Sequence, residues 1–312
     1  MLPVIYAVPL LITGIILVSK GSDILVDGTT KTALYLGIPL FVISAVLIGF
    51  GTSAPELAVS VGSALKNDAG ISLGNIVGSC IANILLILGI GALIKPIKIN
   101  KDGIKKESII ILFSSIILLV FAAVGLLDKY HLIGGLLFLL MFIASLYIFI
   151  LSAKKHKQKL DTQNTQKIQK NIILITLGII AVIFGAWLLI QSTISIATTL
   201  GIPSFFIALS VVAVGTSLPE LIVTITASRK EKSDITIGNI IGSNMFNIFL
   251  ILGLSALLIP LNTNTEIDKI IILLFATICI FPFLYTGKIL TRKIGLIYLI
   301  GYAIFICYSF IF

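Results

Sequence analysis

The chain is organised as long apolar stretches separated by short polar ones, from Leu2 to Phe312. Most of these stretches have about 20 residues or more, the length that an α-helix needs to cross the hydrocarbon core of a bilayer. They are continuous rather than alternating with a period of two, which is typical of helices and not of transmembrane strands. The pattern predicts an all-α polytopic membrane protein with ten transmembrane helices, at residues 2–35, 39–65, 70–94, 107–127, 131–152, 172–200, 203–228, 235–260, 268–287 and 290–312.

The composition agrees with a membrane environment and argues against a nucleic-acid partner and a zinc site. Of the 312 residues, 58% are hydrophobic and 11% are charged, and the mean hydropathy is +1.18, far above that of soluble domains. The net charge of +9 does not indicate a nucleic-acid partner, because the basic residues lie in the loops between apolar spans. Cys80, Cys279 and Cys307 all lie within apolar segments, so we expect no disulfide or zinc framework.

The distribution of lysine and arginine predicts the orientation. With the N-terminus outside, about 19 of the 22 basic residues fall on the cytoplasmic side and about 3 on the opposite side. We therefore expect a multi-pass protein of the cell membrane with both termini outside. Residues 153–171 are the one extended polar stretch, and their Lys, Gln and Asn content predicts a flexible cytoplasmic linker.

An internal repeat relates the two halves of the chain. A shift of 164 residues aligns GTSAPEL at 51–57 with GTSLPEL at 215–221, and GNIVGSCIANILLILG at 74–89 with GNIIGSNMFNIFLILG at 238–253, without gaps. About 26 of the 58 positions in 39–96 are identical to their partners. Apolar composition alone matches Leu to Leu, but it does not match Gly, Pro, Glu, Ser and Asn in the same order.

The repeat divides the chain into a first unit at residues 1–152, the linker at 153–171 and a second unit at 172–312. Each unit is predicted to hold five spans, and because five is odd, the second unit enters the membrane from the opposite side. We expect two inverted five-helix repeats. Transporters of this design hold substrate and coupling ions near the bilayer midplane, where the two repeats meet.

Glu56 and Glu220 occupy equivalent positions of the repeat inside otherwise apolar spans. A carboxylate at mid-bilayer costs about 2.5 kcal/mol or more on insertion scales, so it needs a compensating partner. No basic residue occurs in the central parts of the spans around them. Protonation is one way to compensate the two charges. A bound cation is the interpretation that we favour, because the carboxylates are duplicated and other oxygen donors surround them.

The first set of oxygen donors lies in the same turns as the glutamates. Pro55 and Pro219 precede them, and proline opens a helix because it lacks an N–H and clashes with the carbonyl four residues earlier. Exposed carbonyls at membrane depth are tolerated where they face protein, water or an ion. The same turns carry the hydroxyls of Thr52, Ser53, Thr216 and Ser217.

The second set lies on the third and eighth predicted spans. Ser79 and Asn83 are four residues apart, as are Ser243 and Asn247, so each pair shares one helical face. Hard oxygen donors without sulfur or imidazole suit Na⁺ or Ca²⁺ rather than zinc or copper.

The glycines and the other asparagines of these two spans have a structural interpretation. For Asn75 and Asn239 we expect hydrogen bonds between helices. The small-xxx-small spacing of the motif predicts close approach of a neighbouring helix, at Gly74, Gly78, Gly238 and Gly242.

The paired motifs resemble the two alpha-repeat signatures of the cation/calcium exchanger superfamily, in its prokaryotic sodium/calcium exchanger branch. They span residues 49–83 and 213–247, and the likeness in topology covers nearly the whole chain. The resemblance implies a ten-helix fold with four ion sites among the second, third, seventh and eighth helices.

The resemblance also implies which residues bind the ions. Glu56 and Glu220 would bind Ca²⁺ together with the backbone carbonyls of Thr52 and Thr216. Some family members carry an acidic residue where this chain has Asn247, which affects the central site. The flanking Na⁺ sites and the central site would use Ser53, Ser79, Ser217, Ser243, Asn83 and Asn247, with carbonyls near Gly49 and Ala213.

The implied function is secondary active antiport of Na⁺ against Ca²⁺ by alternating access, with no cofactor beyond the transported ions. Two carboxylates without a basic partner give a formal charge of about −2, which one Ca²⁺ neutralises and three Na⁺ bring to about +1. This charge balance agrees with the electrogenic exchange of three Na⁺ for one Ca²⁺ that the resemblance implies. The empty site would hold two uncompensated charges, which favours exchange over uniport.

A Ca²⁺/H⁺ antiporter and a K⁺-dependent Na⁺/Ca²⁺ antiporter are the nearest alternatives. A channel is disfavoured because paired sites on interrupted helices imply occlusion. An intramembrane protease is excluded because the chain has neither H-E-x-x-H nor a pair of mid-span aspartates. We expect Asp23 and Asp27 to be solvated or paired near Lys20 and Lys31, and the protein to be a monomer.

Overall fold

The computed structural model describes residues 4–155, 167–200 and 215–311. Within these ranges the regular structure is helical, apart from one isolated antiparallel bridge between Ile97 and Leu290. The helices are α1 (Val4–Leu36), α2 (Leu40–Thr52), α3 (Ala54–Leu65), α4 (Ala69–Ile94), α5 (Lys101–Ala123), α6 (His131–Lys155), α7 (Lys167–Thr199), α8 (Leu218–Arg229), α9 (Ser233–Leu258), α10 (Ile267–Thr286) and α11 (Arg292–Ile311).

Eight of the described helices are long and apolar enough to cross a membrane, and α2 with α3 would form a ninth span. The all-α membrane fold is therefore confirmed. The seventh predicted span, 203–228, is described only from residue 215 onward, so the prediction of ten helices stays a prediction. Ala213 also lies outside the described residues.

Two predicted boundaries differ from the structure. Helix α5 begins at Lys101 and ends at Ala123 rather than covering 107–127, because its first turns carry charged residues that hydropathy excludes from a span although a helix continues through them. The predicted linker 153–171 is helical at both ends, since α6 continues to Lys155 and α7 begins at Lys167.

Helices α2 and α3 are joined at a sharp break. The backbone of Ser53 leaves the helical region (φ −81°, ψ 8°), and the two helix axes meet at 48°. Pro55 lies in the first turn of α3, where its missing N–H is tolerated. At the equivalent Ser217 the backbone has the same conformation (φ −88°, ψ 8°), with a proline in the first turn of α8. The sequence prediction that the motif interrupts a helix is confirmed for the first repeat. For the second repeat it stays a prediction, because residues 201–214 are not among those described.

Helices α4 and α9 form the centre of the protein and are buried along most of their length. Each contains a π-helical segment, at Ala82–Ile87 and Phe246–Ile251, and α2 has one at Ser44–Ile48. A π-helical turn widens the helix by one residue and is frequent at functional sites. The surrounding helices α5, α6, α10 and α11 expose large apolar side chains such as Phe113, Ile143, Phe275 and Ile300, as a lipid-facing surface requires.

Helices α1 and α7 form a long pair beside this centre. They cross where glycines allow backbone contact. A Cβ atom on Gly14 would lie 3.0 Å from the carbonyl oxygen of Gly185, and one on Gly178 would lie 3.0 Å from that of Gly21. Gly14 and Gly21 are the repeat partners of Gly178 and Gly185, so the crossing point follows the repeat.

The basic loops meet at one end of the molecule, which we term the basic end. It contains the α4–α5, α8–α9 and α10–α11 connections, which are linked by the Ile97–Leu290 bridge and by an ion pair of 2.7 Å between Lys95 and Glu231. Asp128 and Thr263 lie at the opposite end, where both the N–H and the hydroxyl of Thr263 donate to the Asp128 carboxylate. Collecting most basic residues at one end is what the positive-inside rule requires.

Candidate ion-binding site

The interrupted helices bring Glu56 and Glu220 to the centre of the molecule. Both side chains are fully buried, in the first turns of α3 and α8. Among the described residues, neither carboxylate forms an ion pair. The cost of burying them is therefore not offset by a lysine or arginine in the part of the chain that the structure describes.

Each glutamate is held by a serine from the other repeat. The hydroxyl of Ser53 donates to Oε1 of Glu220 at 3.1 Å, and the hydroxyl of Ser217 donates to Oε1 of Glu56 at 3.1 Å. Ser243 adds a contact of 3.2 Å to Oε1 of Glu220. The two motifs thus form a single site and not two separate ones.

A second layer of hydrogen bonds fixes the interrupted turns. The amide of Asn75 donates to the carbonyl of Glu56 at 3.4 Å, and that of Asn239 donates to the carbonyl of Glu220 at the same distance. Thr216 donates to Oδ1 of Asn75 and Thr52 to Oδ1 of Asn239, each at 3.2 Å. The prediction that Asn75 and Asn239 make hydrogen bonds between helices is confirmed.

The hydroxyl hydrogens of the two threonines are therefore engaged by protein atoms. Thr52 also approaches the carbonyl of Ile48 at 2.9 Å, and Thr216 lies 3.5 Å from the hydroxyl of Ser79. The backbone carbonyls of these threonines, which the sequence resemblance implies as ion ligands, stay a prediction.

Several buried polar atoms at the centre have no hydrogen-bond partner among the described residues. They are Oε2 of Glu56, Oε2 of Glu220, Oδ1 of Asn83, and both amide atoms of Asn247. Buried polar atoms are nearly always satisfied in folded proteins, so this cluster requires an explanation. Four of the five atoms are oxygens, and a hard cation satisfies such a set.

Small residues let the helices approach closely enough to form this centre. A Cβ atom on Gly49 would lie 2.9 Å from the backbone nitrogen of Ser243, and one on Gly238 would lie 2.6 Å from the carbonyl oxygen of Phe41. A Cβ on Gly242 would collide with the carbonyl oxygen of Ala45. The predicted close approach is confirmed for the second repeat. No described residue approaches Gly74 or Gly78 within 4 Å, so that half of the prediction stays a prediction.

Most of the residues expected from the sequence thus meet at one place. Ser79, Ser243, Asn83 and Asn247 lie on the central helices α4 and α9, while the carbonyl of Gly49 accepts from the N–H of Ser53 at 3.2 Å within α2. Ala213 lies outside the described residues.

Two further participants were missed by sequence reasoning. Ser60 accepts from the amide of Asn75 at 2.8 Å, and Asn244 accepts from the amide of Asn83 at 2.8 Å. The sequence repeat contained one signal for Asn244. Its partner position in the first motif is Cys80, so Asn244 is an additional buried amide that the first motif does not have.

Comparison with known proteins gives a consistent result over nearly the whole chain. The sequence profile of the family described as "Sodium/calcium exchanger protein" matches residues 6–151 and 170–311. The sodium/calcium exchanger MaX1 of Methanosarcina acetivorans is 33% identical, with 96% of this chain and 97% of that protein covered. The uncharacterized membrane protein MJ0091 of Methanocaldococcus jannaschii is also 33% identical, covering 93% of this chain and 94% of its own length.

A solved structure agrees with these relatives. The sodium-calcium exchanger NCX_Mj soaked with zero Na⁺ and Ca²⁺ superimposes with a TM-score of 0.87 and 32% sequence identity. The superposition covers 98% of this chain and 100% of that one.

Proposed function

Because this chain belongs to the sodium/calcium exchanger protein family, we propose that it exchanges Na⁺ for Ca²⁺ across the membrane by alternating access. The family consists of transporters and not of enzymes, and cation/Ca²⁺ exchange is its activity. The observation that carries the proposal is the pair of buried glutamates. Each accepts a hydrogen bond from a serine of the other repeat, and each has one oxygen without a hydrogen-bond partner among the described residues.

The proposed ligands follow from the atoms that remain. Ca²⁺ binds between Oε2 of Glu56 and Oε2 of Glu220, with the backbone carbonyls of Thr52 and Thr216. Na⁺ ions bind at the flanking and central positions, through the serines, the asparagine oxygens and the carbonyls near Gly49 and Ala213. Carboxylate, hydroxyl and carbonyl oxygens are the ligands that both ions prefer. No resident cofactor is part of this mechanism.

The charge of the site supports exchange of three Na⁺ for one Ca²⁺. Two carboxylates carry about −2, so Ca²⁺ neutralises the site and three Na⁺ leave about +1. The ion-free carrier would hold two unpaired charges in a low-dielectric environment, so it reorients slowly. Each cycle then moves one net charge across the membrane and is electrogenic.

We further propose that the chain is built from two inverted five-helix repeats, residues 1–152 and 172–312, joined by 153–171. The hydrogen bonds related by a shift of 164 residues support this, since Ser53–Glu220 and Ser217–Glu56 exchange when the repeats exchange. Alternating access then involves movement of the α1–α7 pair against the centre that holds the ions. Nothing in this mechanism requires a second subunit, so we propose a monomer.

The experiment that tests the function is uptake of radioactive Ca²⁺ into proteoliposomes containing the purified protein. Gradients of Na⁺, K⁺ and pH are imposed one at a time. We expect uptake when Na⁺ is inside and Ca²⁺ outside. Because three Na⁺ leave for each Ca²⁺ that enters, one net positive charge leaves the vesicle in each cycle. An inside-positive potential is therefore expected to accelerate uptake, and an inside-negative potential to slow it. Uptake driven by the pH gradient alone, or only with K⁺ present, would identify one of the two alternative antiporters.

The proposed orientation places the termini outside and the basic end in the cytoplasm. Lys129 lies at the end opposite to the basic end, and Asn100 lies next to the basic loops; both are exposed. In a variant without its native cysteines, Lys129→Cys is expected to react with an impermeant maleimide from outside intact cells, and Asn100→Cys only after lysis. The reverse pattern would overturn the orientation.

A further inference from the structure

Asn244 lies beside the proposed ion site without being one of its proposed ligands. It is buried on α9, one residue after Ser243. We infer that Asn244 is a positioning residue that orients the amide of Asn83, so that the oxygen of Asn83 and not its nitrogen faces the bound cation. This inference rests on the proposed function, because it concerns the same site.

The two hydrogens of the Asn83 amide are both engaged by α9. The Nδ2 atom of Asn83 donates to Oδ1 of Asn244 at 2.8 Å and to the hydroxyl oxygen of Ser243 at 3.0 Å. The Oδ1 atom of Asn83 is buried and has no partner among the described residues. Since a primary amide has only two hydrogens, this arrangement leaves only the oxygen for another ligand.

The orientation of Asn244 is itself determined by the backbone. Its Nδ2 atom lies 3.5 Å from the carbonyl oxygen of Cys80, which can only accept a hydrogen bond. Because the Nδ2 atom of Asn244 faces that carbonyl, its Oδ1 atom faces Asn83. A fixed acceptor on α4 thus sets the direction of two successive amides, and a flip of either one would bring two oxygens together.

The direction of the Asn83 amide matters because its two ends have opposite polarity. The oxygen attracts a cation, whereas the nitrogen carries positive hydrogens and repels it. If the Asn83 oxygen faces the site in only a fraction of the molecules, the apparent affinity for the cation is reduced by that fraction. Asn244 therefore contributes to affinity without contacting the ion.

The other repeat has a weaker version of this arrangement. The position equivalent to Asn244 is Cys80, so a thiol faces Asn247 where an amide faces Asn83. A thiol is a weak hydrogen-bonding group, so it constrains the direction of the Asn247 amide less than Asn244 constrains that of Asn83. The two repeats contribute equivalent asparagines with different degrees of constraint.

The test is a double-mutant cycle on the affinity for Na⁺, the ion proposed at the asparagine oxygens. It is measured as the internal Na⁺ concentration that half-saturates Na⁺-driven Ca²⁺ uptake into proteoliposomes containing the full-length protein. Asn83→Ala is expected to raise this concentration about tenfold, and Asn244→Ala about fivefold. If Asn244 acts through Asn83, the double variant binds like Asn83→Ala, because there is no amide left to orient. Independent contributions would multiply to about fiftyfold and would overturn the inference, as would a parental affinity in Asn244→Ala.

Two controls separate this role from packing and from the function itself. Asn244→Leu keeps nearly the same shape without polarity, so it is expected to match Asn244→Ala in affinity; a parental affinity in Asn244→Leu would mean that filling the space is enough and would also overturn the inference. If the parental protein shows no Na⁺-driven Ca²⁺ uptake, or Glu56→Gln transports at the parental rate, the proposed function fails instead.

Discussion

The α1–α7 pair contacts the rest of the protein at two places that the repeat relates, and the two contacts differ. At the basic end, α1 is tied to α8: the hydroxyls of Ser22 and Thr226 are 2.7 Å apart, and Nζ of Lys230 lies 3.0 Å from Asp23 and 2.9 Å from Asp27. The sequence predicts these aspartates to be solvated or paired near Lys20 and Lys31. They are paired, but with Lys230, which is more than 200 residues away.

Among the described residues, the equivalent contact between α7 and α3 has no ion pair and is lined mainly by apolar side chains. The positions of Asp23 and Asp27 are taken by Trp187 and Gln191. Both line a cavity of about 570 Å³ between the described parts of α7 and α3, which reaches Pro55 and Thr216. The repeat is thus kept around Glu56 and Glu220 and lost where α1 and α7 meet their neighbours. Under the proposed function, these two unlike contacts are the gates on either side of two matched sets of proposed ligands.

The largest expected effect tests the symmetric part of this comparison. Glu56→Gln and Glu220→Gln each remove one of the two formal charges while keeping size and one carbonyl oxygen. Both are expected to lower Na⁺-driven Ca²⁺ uptake at least about a hundredfold, and to similar extents. Uptake into proteoliposomes with matched protein amounts measures this.

The control for this pair is Glu266→Gln, the same chemical change at an ion pair with Lys269. It is expected to keep near-parental transport. Near-parental transport in both site variants would show that these carboxylates do not bind the ion. A difference of more than about tenfold between them would break the symmetry proposed for the site.

The next effect tests the ionic contact at the basic end. Exposed ion pairs contribute up to about 1 kcal/mol, so losing both pairs in Lys230→Gln shifts the balance between the two access states about fivefold. The ratio of the half-saturating Ca²⁺ concentrations on the two sides of oriented vesicles reports this shift. Lys66→Gln, at the repeat-equivalent position, serves as the control and is expected to change the ratio by less than about twofold. Equal effects would mean that the two gates do not differ.

A smaller effect is expected from adding the missing acids to the other gate. Trp187→Asp combined with Gln191→Asp gives Lys66 the partners that Lys230 has. The new pairs are expected to shift the same ratio about threefold, in the direction opposite to Lys230→Gln, because they stabilise closure at the other end. A shift in the same direction as that of Lys230→Gln would contradict this. So would an unchanged ratio in the double variant, both with Lys66 present and with Lys66 replaced by Gln.

The smallest effect concerns pH. The hydrogen bond from Lys95 lowers the pKa of Glu231, so this pair persists above the usual glutamate range and is lost only as the pH falls through the lowered pKa. Burial alone would lower the pKa of Lys230, but its hydrogen bonds to Asp27 and Asp23 raise it, so as the pH rises those pairs are lost only through the raised pKa of Lys230, above the ordinary lysine range.

Neither contact at the basic end therefore titrates between about pH 6 and pH 9. The ratio of Ca²⁺ uptake by Glu231→Gln to that of the parent is expected to stay constant across this range, measured with equal pH on both sides. A ratio that changes with pH would show that the basic end responds to protons near neutrality.

Most of the fold and of the site was predictable from the sequence, for physical reasons. Bilayer thickness fixes span length, so the predicted spans 70–94 and 268–287 differ from α4 and α10 by a residue or two. The site was predictable because Glu56 and Glu220 are costly at mid-bilayer and repeat with the oxygen donors around them.

The remaining features depend on contacts distant in the sequence. The pairing of Lys230 with Asp23 depends on how α1 lies against α8, which hydropathy does not encode. The π-helical segments have no local sequence signature, since residues such as Ile84 and Leu85 fit an ordinary helix equally well. The role of Asn244 depends on a carbonyl of another helix, and carbonyl positions are not readable from side-chain patterns.

The length of α1 and α7 makes the lipid itself a participant. Each has 33 residues, about 50 Å at 1.5 Å per residue, while the hydrocarbon core is about 30 Å thick. Helices longer than the core accommodate by tilting, and the required tilt grows as the bilayer thins. Because Gly14 and Gly21 cross Gly185 and Gly178 at backbone contact, the two helices tilt together. The acyl-chain length of the host membrane thus acts on the angle of the pair, and through it on the two gates.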